Sequence, residues 1–565
     1  MKSNKAILSL SFLLIIMIFG VASAGTYYVD ATKGDDGNSG TSESASWKTL
    51  AKVSNSRFQP GDVILLKRGE IWYESLDLHG SGKPGSPIII GAYEQGPRPI
   101  LDGTDIEPNS GFRKTPGYQN VYHLTEIRMV GHVLEDGKPL GAKMLASVME
   151  VDATPGSWFL DQNKLYVHAS GGSDITTNGK VYRTRVQMDG IVVGNVDDRE
   201  GANNYVTIES MHLKNFIRWA INGVNSDHMT VRNCVIEDMG AIKRQDPVGV
   251  GLNHSTTNAL VENNLIHDIG HNKVGAGVYI GTAGSRHNYR STNNVVRNNE
   301  IYNCHVGVTI KVYSDDNRIE SNFIHDITSQ GVRAVGQFDK GNLITRNLIM
   351  HCEEEGIETF NSSTIAHNIV LSCYAGIIVI TKTTSFEDNL DAGKNNKILN
   401  NTLFDCIVGI SLHNPESGDY PENNIVENNI ISECFRAIRF ENGKLPKGLD
   451  NLFDYNCYFR SDNLTFADYD VSLTFQEWRD AYGGDAHSIT ANPLFVVPNP
   501  QTGRDFMLRP GSPCIDSGNN VGLSQDFNGR PIPQGKGPEI GAHEFNGGKA
   551  IAPPRNVRIE TISTN

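Results

Sequence analysis

The sequence has 565 residues and a formal net charge of −14, from 50 basic and 64 acidic residues. A protein whose main partner is nucleic acid needs clustered positive charge, so this balance argues against such a partner. A local basic cleft can still exist on an acidic protein, so an acidic sugar stays open as a ligand. Glycine is abundant, with 57 residues, which is typical of a fold with many tight turns.

The first 24 residues predict a signal peptide. Lys2 and Lys5 precede an apolar stretch over residues 7–21, and Ala22-Ser23-Ala24 fits a small-residue cleavage site. The apolar stretch is short for a membrane span, so a membrane anchor is the weaker alternative. We expect an exported, extracellular protein with no membrane span once the signal peptide is removed.

Residues 25–103 predict an N-terminal cap and the first coils of a repeat fold, since short apolar strands such as residues 63–66 alternate with Gly- and Asp-rich turns. Residues 104–186 break this rhythm. Their alternating segments, for example residues 158–161 and 164–167, predict a β-rich insertion that packs against the repeats.

Residues 187–510 predict an all-β, parallel β-helix solenoid, because a motif of Asn, any residue and an apolar residue recurs at intervals of 21 to 35 residues. Most copies are followed by a Gly and then by alternating apolar residues. Such units have no room for an ordinary helix and bury a continuous core only by stacking. The copies begin at Asn233, Asn264, Asn299, Asn322, Asn347, Asn368, Asn401 and Asn429.

Five cysteines lie five residues after a repeat Asn, which predicts an inward column on the coils. Neighbouring coils are about 4.8 Å apart, a spacing that permits disulfides, although we favour buried free thiols. These residues are Cys304, Cys352, Cys373, Cys406 and Cys434. Residues 461–548 predict the C-terminal end of the solenoid, which has to cover the last open strand edges; the coils are expected to end at residue 510, the end region to occupy residues 511–548, and residues 549–565 to form a tail or linker.

Both ends of the mature sequence resemble one known superfamily. The segments 27–30 (YYVD) and 47–50 (WKTL), and later 512–518 (SPCIDSG) and 540–544 (IGAHE), are similar to the ends of secreted, right-handed parallel β-helix (pectate-lyase-like) carbohydrate-active proteins. The resemblance implies a polysaccharide partner and leaves lyases, glycoside hydrolases, epimerases and non-catalytic relatives open, because fold does not fix function. The Gly-His-Gly and Trp-Ile-Asp-His motifs of some pectin-degrading relatives are absent from the sequence.

Strand alternation predicts which side chains face outward and form the candidate site. Stacked coils should align these side chains into one exposed strip that suits a sugar chain, with aromatic rings for sugar faces and cations for carboxylates. We predict catalytic roles for Lys311, Arg333 and Glu358, and substrate binding by Tyr279, Phe360, His413 and Arg439.

The favoured function is a polysaccharide lyase that acts by β-elimination on a uronate-containing chain. Lys311 and Arg333 are 22 residues apart, about one coil, and a desolvated Lys beside an Arg has a lowered pKa that suits a base. The pair resembles the Lys/Arg pair of β-helix lyases that cleave alginate and chondroitin-type chains. Those relatives hold calcium just before the Lys, where this sequence has His305 and Thr309.

Calcium and the reaction class both stay open. The carboxylates near Lys311 that could hold Ca²⁺ have no recognised spacing: Asp315, Asp316, residues 353–355 and Glu358. A glycoside hydrolase needs two facing carboxylates, and alternation places only Glu358 clearly outward. A non-catalytic carbohydrate-binding or cell-surface protein that uses the same strip is a further alternative. With either function we expect a monomer.

The candidate residues also have structural interpretations. Lys311 and Arg333 could be solvated cations, and Glu358 could form a salt bridge with Arg333 on the preceding coil. His413 could be a surface residue, and the two aromatic residues of the strip could cover the helix flank against a loop.

Overall fold

The chain folds as the predicted all-β, parallel β-helix, in which three long sheets run along one solenoid. Each coil contributes one strand to each sheet in turn, and each strand pairs in parallel with its equivalent in the next coil. The computed structural model describes residues 24–545 and 547, except 128–129, 142–143, 195–202, 241–245, 271–273, 283–288, 312, 336–340, 361, 382–392, 414–419, 442–449 and 469–470. The predicted signal peptide, apart from Ala24, and the predicted tail at 549–565 lie outside the described residues.

Sheet 1 has thirteen strands. In stacking order they are Thr26–Val29, Val63–Lys67, Ile88–Tyr93, Val206–Glu209, Thr230–Arg232, Leu260–Glu262, Val295–Arg297, Arg318–Glu320, Leu343–Thr345, Thr364–Ala366, Lys397–Leu399, Ile425–Glu427 and Leu452–Asp454. Sheet 2 has twelve strands. They are Ile71–Trp72, Ile100–Asp102, His212–Lys214, Val235–Glu237, Leu265–Ile269, Glu300–Cys304, Phe323–Ile327, Leu348–Cys352, Ile369–Leu371, Thr402–Phe404, Ile430–Ser432 and Cys457–Phe459.

Sheet 3 also has thirteen strands, and its last two pair antiparallel. They are Leu76–Leu78, Asp189–Val193, Trp219–Val224, Val248–Asn253, Ala276–Gly281, Val306–Ile310, Val332–Ala334, Glu355–Thr359, Ala375–Ile380, Val408–His413, Arg436–Glu441, Phe466–Asp468 and Val471–Leu473.

Stacked aliphatic side chains form the core of the solenoid. In sheet 1, Ile319 pairs with Ile344 and Ile344 with Ile365, and all three side chains are fully buried. Each buried Ile contributes about 1.5–3 kcal/mol relative to an exposed one, so the repeated column supplies much of the stability.

A ladder of buried Asn side chains turns the corner between sheets 1 and 2. The backbone N–H and the side-chain amide of Asn322 both donate to Asn347 Oδ1, at 3.0 Å each, and Asn347 repeats this pattern with Asn368. The ladder explains the sequence repeat at every predicted copy except the first. There Cys234, not Asn233, occupies the ladder position, because the backbone N–H of Cys234 donates to Asn264 Oδ1.

The inward cysteine column is confirmed. The five predicted residues are 1–4% exposed, and all eight cysteines of the chain are buried free thiols. The column is not continuous, because Ile327 occupies the coil between Cys304 and Cys352.

A separate antiparallel unit interrupts the coils between residues 104 and 185. One four-stranded sheet contains Thr104–Glu107, Val133–Glu135, Lys138–Pro139 and Tyr182–Arg185, and the other contains Arg113–Lys114, Tyr122–Thr125, Ser157–Asp161 and Lys164–His168. Their shared core includes Trp158 and Tyr182. In the described part of the chain the α-helices are Leu50–Ser54, Val148–Ala153 and Phe475–Tyr482, and the 3-10 helices are Glu43–Ala45 and Asn109–Gly111.

The C-terminal region differs from the predicted arrangement. The parallel strands end at Asp468, before the predicted boundary at residue 510, and the helix Phe475–Tyr482 closes the core through Trp478, which stacks on Phe440 and Phe466. Ile489 pairs with Cys457 at the edge of the last sheet 2 strand, and the chain up to residue 545 then folds back on the outer face of sheet 2, where Phe495 and Phe506 pack on Phe404. Among the described residues, no helix is long and apolar enough to cross a membrane.

Candidate active site

A glycine at or near the start of most sheet 3 strands affects which side chains reach the outer surface. Residues on both sides of this glycine pair with the next coil, whereas Gly356 itself has no partner in the ladder. A Cβ at Gly356 would lie 2.3 Å from Val370 Cγ1 in the core, so this position faces inward, as does Ile357 after it. Two consecutive inward positions break strict alternation and leave Glu355 on the outer face with Glu358.

An ion pair between neighbouring coils forms the centre of the site. Arg333 Nε lies 2.8 Å from Glu358 Oε2, and their positions are directly paired in the sheet. The Glu358 side chain is only 4% exposed, against 32% for Arg333. Burial raises the pKa of Glu358, and the Arg333 guanidinium opposes that rise only in part. The salt bridge that the sequence offered as the structural interpretation of Glu358 is therefore present.

Lys311 follows the strand Val306–Ile310, and its side chain is half-buried beside this pair. Burial and the neighbouring Arg333 lower the pKa of Lys311 to about 8, while Glu358 and Asp246 oppose the shift. Among the described residues, no carboxylate lies within 4 Å of its amine. The structure thus has the lowered lysine pKa that desolvation beside an arginine predicts.

A second group of carboxylates adjoins the ion pair, and the sequence analysis considered it only for calcium. Gln330 Nε2 donates to Glu354 Oε2 at 2.9 Å and to Glu355 Oε2 at 3.1 Å, so these two carboxylate oxygens are at most about 6 Å apart. Burial, Glu358 and Glu354 together raise the pKa of Glu355 to about 7. Glu355 is half-buried, Glu354 is exposed, and Ser329 donates to Glu354.

Aromatic side chains extend this outer face toward the N-terminus. The half-buried ring of Tyr279 packs edge-on against Trp219, with centroids 5.6 Å apart. The indole lies over Gly251, where a Cβ would approach it to 2.5 Å. Tyr279 is at the predicted outward position, whereas Trp219, at the start of its strand, was missed.

Phe360 does not face the outer surface, and its predicted role in substrate binding is wrong. Its side chain is 1% exposed. The chain around Gly393 lies against this strand end, since Gly393 N–H and Asn396 Nδ2 both donate to the Phe360 carbonyl oxygen. A buried ring cannot stack on a sugar. Thr309, another position predicted to face outward, pairs with Arg333 in the sheet but is only 4% exposed.

The other two predicted binding residues lie further along the solenoid. In the paired column Glu358, Ile378, Ser411 and Arg439, three coil steps separate Glu358 from Arg439, or about 14 Å. Arg439 Nη1 donates to the exposed Tyr374 hydroxyl at 3.5 Å. His413 is half-buried, and its carbonyl oxygen accepts from Thr381. The site therefore brings Lys311 together with the ion pair but does not bring Arg439 to them.

The described residues contain no group of three or more His, Cys, Asp and Glu side chains arranged to hold a metal ion. Of the predicted calcium candidates, Asp315 forms an ion pair with Arg290, and Asp316 is exposed. A half-buried carboxyl that is protonated near neutral pH, beside a second carboxylate, can donate a proton to a leaving group. A lysine with a lowered pKa can accept one.

Comparison with known proteins agrees with the fold. A family model described as a right-handed β-helix region matches residues 281–391, which include Lys311, Arg333, Glu355 and Glu358. The chain is 26% identical over 255 residues to a lacto-N-biosidase of Bifidobacterium longum subsp. longum, and 33% identical over 100 residues to alpha-1,3-galactosidase A of Akkermansia muciniphila. These matches cover 39% and 15% of this chain, but only 15% and 16% of the relatives' own lengths.

A solved structure resembles the chain over a longer stretch. The complex of XylC with xylose covers 79% of this chain and 86% of its own, with a TM-score of 0.56 and 14% sequence identity. At that identity the likeness concerns the fold alone. The chain is a right-handed parallel β-helix protein that resembles the carbohydrate-active proteins of this fold.

Proposed function

We propose that the protein is an exported glycoside hydrolase that cleaves a polysaccharide on the outer face of sheet 3. The observation that carries this proposal is Glu355, a half-buried carboxyl with a pKa of about 7 that is held near Glu354 by Gln330. Glu355 is the proton donor to the leaving oxygen, because its raised pKa favours the protonated carboxyl that a general acid requires.

Glu354 is the second carboxylate of the proposed mechanism. Retaining glycosidases hold their two carboxyl groups about 5–5.5 Å apart, whereas inverting enzymes need about 6.5–9.5 Å to admit a water molecule. The limit of about 6 Å on the two oxygens favours the retaining distance. Glu354 then attacks the anomeric carbon, the Glu355 proton moves to the departing oxygen, and water later hydrolyses the glycosyl ester with Glu355 acting as base.

The curated relatives support a hydrolase in general terms, since both have glycosidase names. Their matched stretches are a small part of each relative, so they leave the sugar open. Tyr279 and Trp219 supply aromatic surface beside the site, and Lys311 is a hydrogen-bond donor to sugar hydroxyls.

A uronate lyase is the second candidate, and Lys311 supports it, because an amine with a pKa of about 8 is a suitable base near neutral pH. Two features oppose it. The Arg333 guanidinium already pairs with buried Glu358 and is less available to a uronate carboxylate. In addition, Glu354, Glu355 and Glu358 outnumber the two cations, which disfavours binding of an anionic chain.

Product analysis tests the proposal on a panel of neutral and uronate-containing polysaccharides. A hydrolase releases reducing ends without new ultraviolet absorbance, whereas a lyase generates unsaturated uronate ends that absorb. We expect Glu355→Gln to lower kcat by at least about a hundredfold, the scale of general acid catalysis. The matched control is Glu353→Gln, an exposed neighbour that should retain activity. Unsaturated products, or full activity in Glu355→Gln, would overturn the proposal.

A further inference from the structure

A cavity lies on a different face of the solenoid from Glu355. It has a volume of about 850 Å³ and lies between the corner of sheets 1 and 2 and the C-terminal segments around residues 501–504 and 527–529. This volume is within the range of about 300–1,000 Å³ that is usual for ligand sites. We call it the C-terminal groove.

One polar residue of each coil lies at this corner with a positive φ, directly before the buried Asn ladder. In the later coils these residues bind the C-terminal segment. Asn400 Nδ2 donates to Glu539 O at 2.9 Å, Asn428 Nδ2 donates to Asn519 O at 2.8 Å, and His367 Nδ1 contacts Ala542 O at 3.2 Å. In the later coils, these corner residues therefore bind an extended chain through its backbone carbonyl oxygens.

In the earlier coils the equivalent corner residues line the C-terminal groove. Asn263 and Asn298 occupy the corner with φ of 56° and 54°, and both are half-buried. Within the described part of the chain, their side-chain amides make no hydrogen bond. They offer the donors and acceptors that the C-terminal segment uses in the later coils.

Aromatic rings stand beside these amides. Phe323 lines the groove and stacks on His325, with centroids 4.2 Å apart, and His325 stacks in turn on Tyr302. Phe527 lines the cavity from the C-terminal segment, and Gly503 beside it has no room for a Cβ, which would lie 2.9 Å from the Phe527 ring. Half-buried rings next to unpaired amides suit a ligand with apolar faces and many hydroxyl groups.

We propose that the C-terminal groove is a second, non-catalytic binding site for a glycan chain. Phe323 and Phe527 pack against the faces of the sugar rings, and Asn263 and Asn298 hydrogen-bond to the hydroxyls. The site anchors a polysaccharide away from the carboxylates of sheet 3. This proposal rests on the proposed function only because that function is the reason for choosing a glycan as the ligand.

Affinity electrophoresis tests the groove in the inactive Glu355→Gln background, with xylan, arabinan, galactan and mannan as probes. We expect at least one glycan to retard the protein, and Phe323→Ala combined with Asn298→Ala to weaken that affinity by about tenfold or more, equivalent to about 1.4 kcal/mol. The matched control is Phe435→Ala, because Phe435 is 50% exposed and packs on Arg436 and Arg460, which do not line the groove.

Hydroxyl-radical footprinting gives a second readout that does not depend on the stability of a variant. Bound glycan should protect Phe323 and Phe527 from oxidation and leave Phe435 unchanged. No retardation by any of the four glycans, or retardation without protection of Phe323, would overturn the proposal. Binding without any hydrolysis by the native protein would instead overturn the proposed function and leave the groove standing.

Discussion

The pH dependence of kcat/KM separates the two chemical roles at the sheet 3 site, because kcat/KM reports the pKa values of the free protein. The Glu355 proton donor, with a pKa of about 7, requires the protonated form. Above that value kcat/KM should fall about tenfold per pH unit, to about 1% of its plateau at pH 9. A Lys311 base, with a pKa of about 8, requires the neutral amine, so kcat/KM should rise about tenfold per unit below pH 8.

Glu358→Gln provides the internal test of this assignment. The Glu358 carboxylate is one of the groups that raise the pKa of Glu355, after burial itself. Removal of that charge should lower the pKa of Glu355 and move the alkaline limb to lower pH. A purely structural defect would reduce kcat/KM without moving the limb.

The assay is reducing-end release between pH 5 and pH 10 at substrate concentrations well below KM. Native-state fluorescence at each pH controls for unfolding. A rising limb through pH 8 would refute the Glu355 assignment and favour the lysine base. An alkaline limb that stays in place in Glu358→Gln would show that another group titrates.

Three further predictions concern the stability of the solenoid. Arg333→Met should lower the free energy of unfolding by about 1–3 kcal/mol at pH 8 and by less at pH 5. Without its partner, Glu358 has a folded pKa further above its unfolded value, so its ionised form is destabilising. In denaturant titrations, the double variant with Glu358→Gln should recover most of the loss. Burial lowers the pKa of His325, but the carboxylates of Asp326 at 2.7 Å and Glu300 at 3.5 Å outweigh burial and raise it. Calorimetry should therefore show that His325→Gln is destabilising below about pH 6.5. This loss of stability should disappear as the pH rises through the folded pKa of His325. A thiol reagent should not label the five cysteines of the inward column before the protein unfolds: Cys304, Cys352, Cys373, Cys406 and Cys434. Mass spectrometry measures the labelling, and rapid labelling of several of these thiols in the native protein would contradict the register.

The fold was predictable from the sequence because a solenoid repeats one local pattern many times. Each ladder Asn hydrogen-bonds to its equivalents in neighbouring coils, as Asn347 does with Asn322 and Asn368. This requirement produces a periodic Asn in the sequence. The same Asn repeat predicted which cysteines face the core. The ends are not repeated, so the packing of residues 489–545 on the outer face of sheet 2 left no periodic signal.

The site was only partly predictable, and the reason is local backbone geometry. Strict alternation placed Arg333 and Glu358 outward correctly, because both follow the glycine by two residues. It also placed Phe360 outward, where the chain around Gly393 covers the strand end. Coverage of this kind depends on loops from other coils, and the pattern within one strand does not report it.

The same geometry is the reason why we propose a hydrolase in place of the lyase that the sequence favoured. Under strict alternation Glu355 would face the core, and Glu358 would be the one outward carboxylate of its coil. The glycine between them shifts the phase, since any side chain at Gly356 would enter the core at Val370. One residue without a Cβ therefore brings a second acid to the outer face, next to Gln330 and Glu354. The same phase shift in other coils places small or apolar residues such as Val306 and Ala375 at the equivalent position, where they are buried and carry no chemistry. The repeat thus provides this position in several coils, and the side chain that occupies it determines whether a coil presents an acid there.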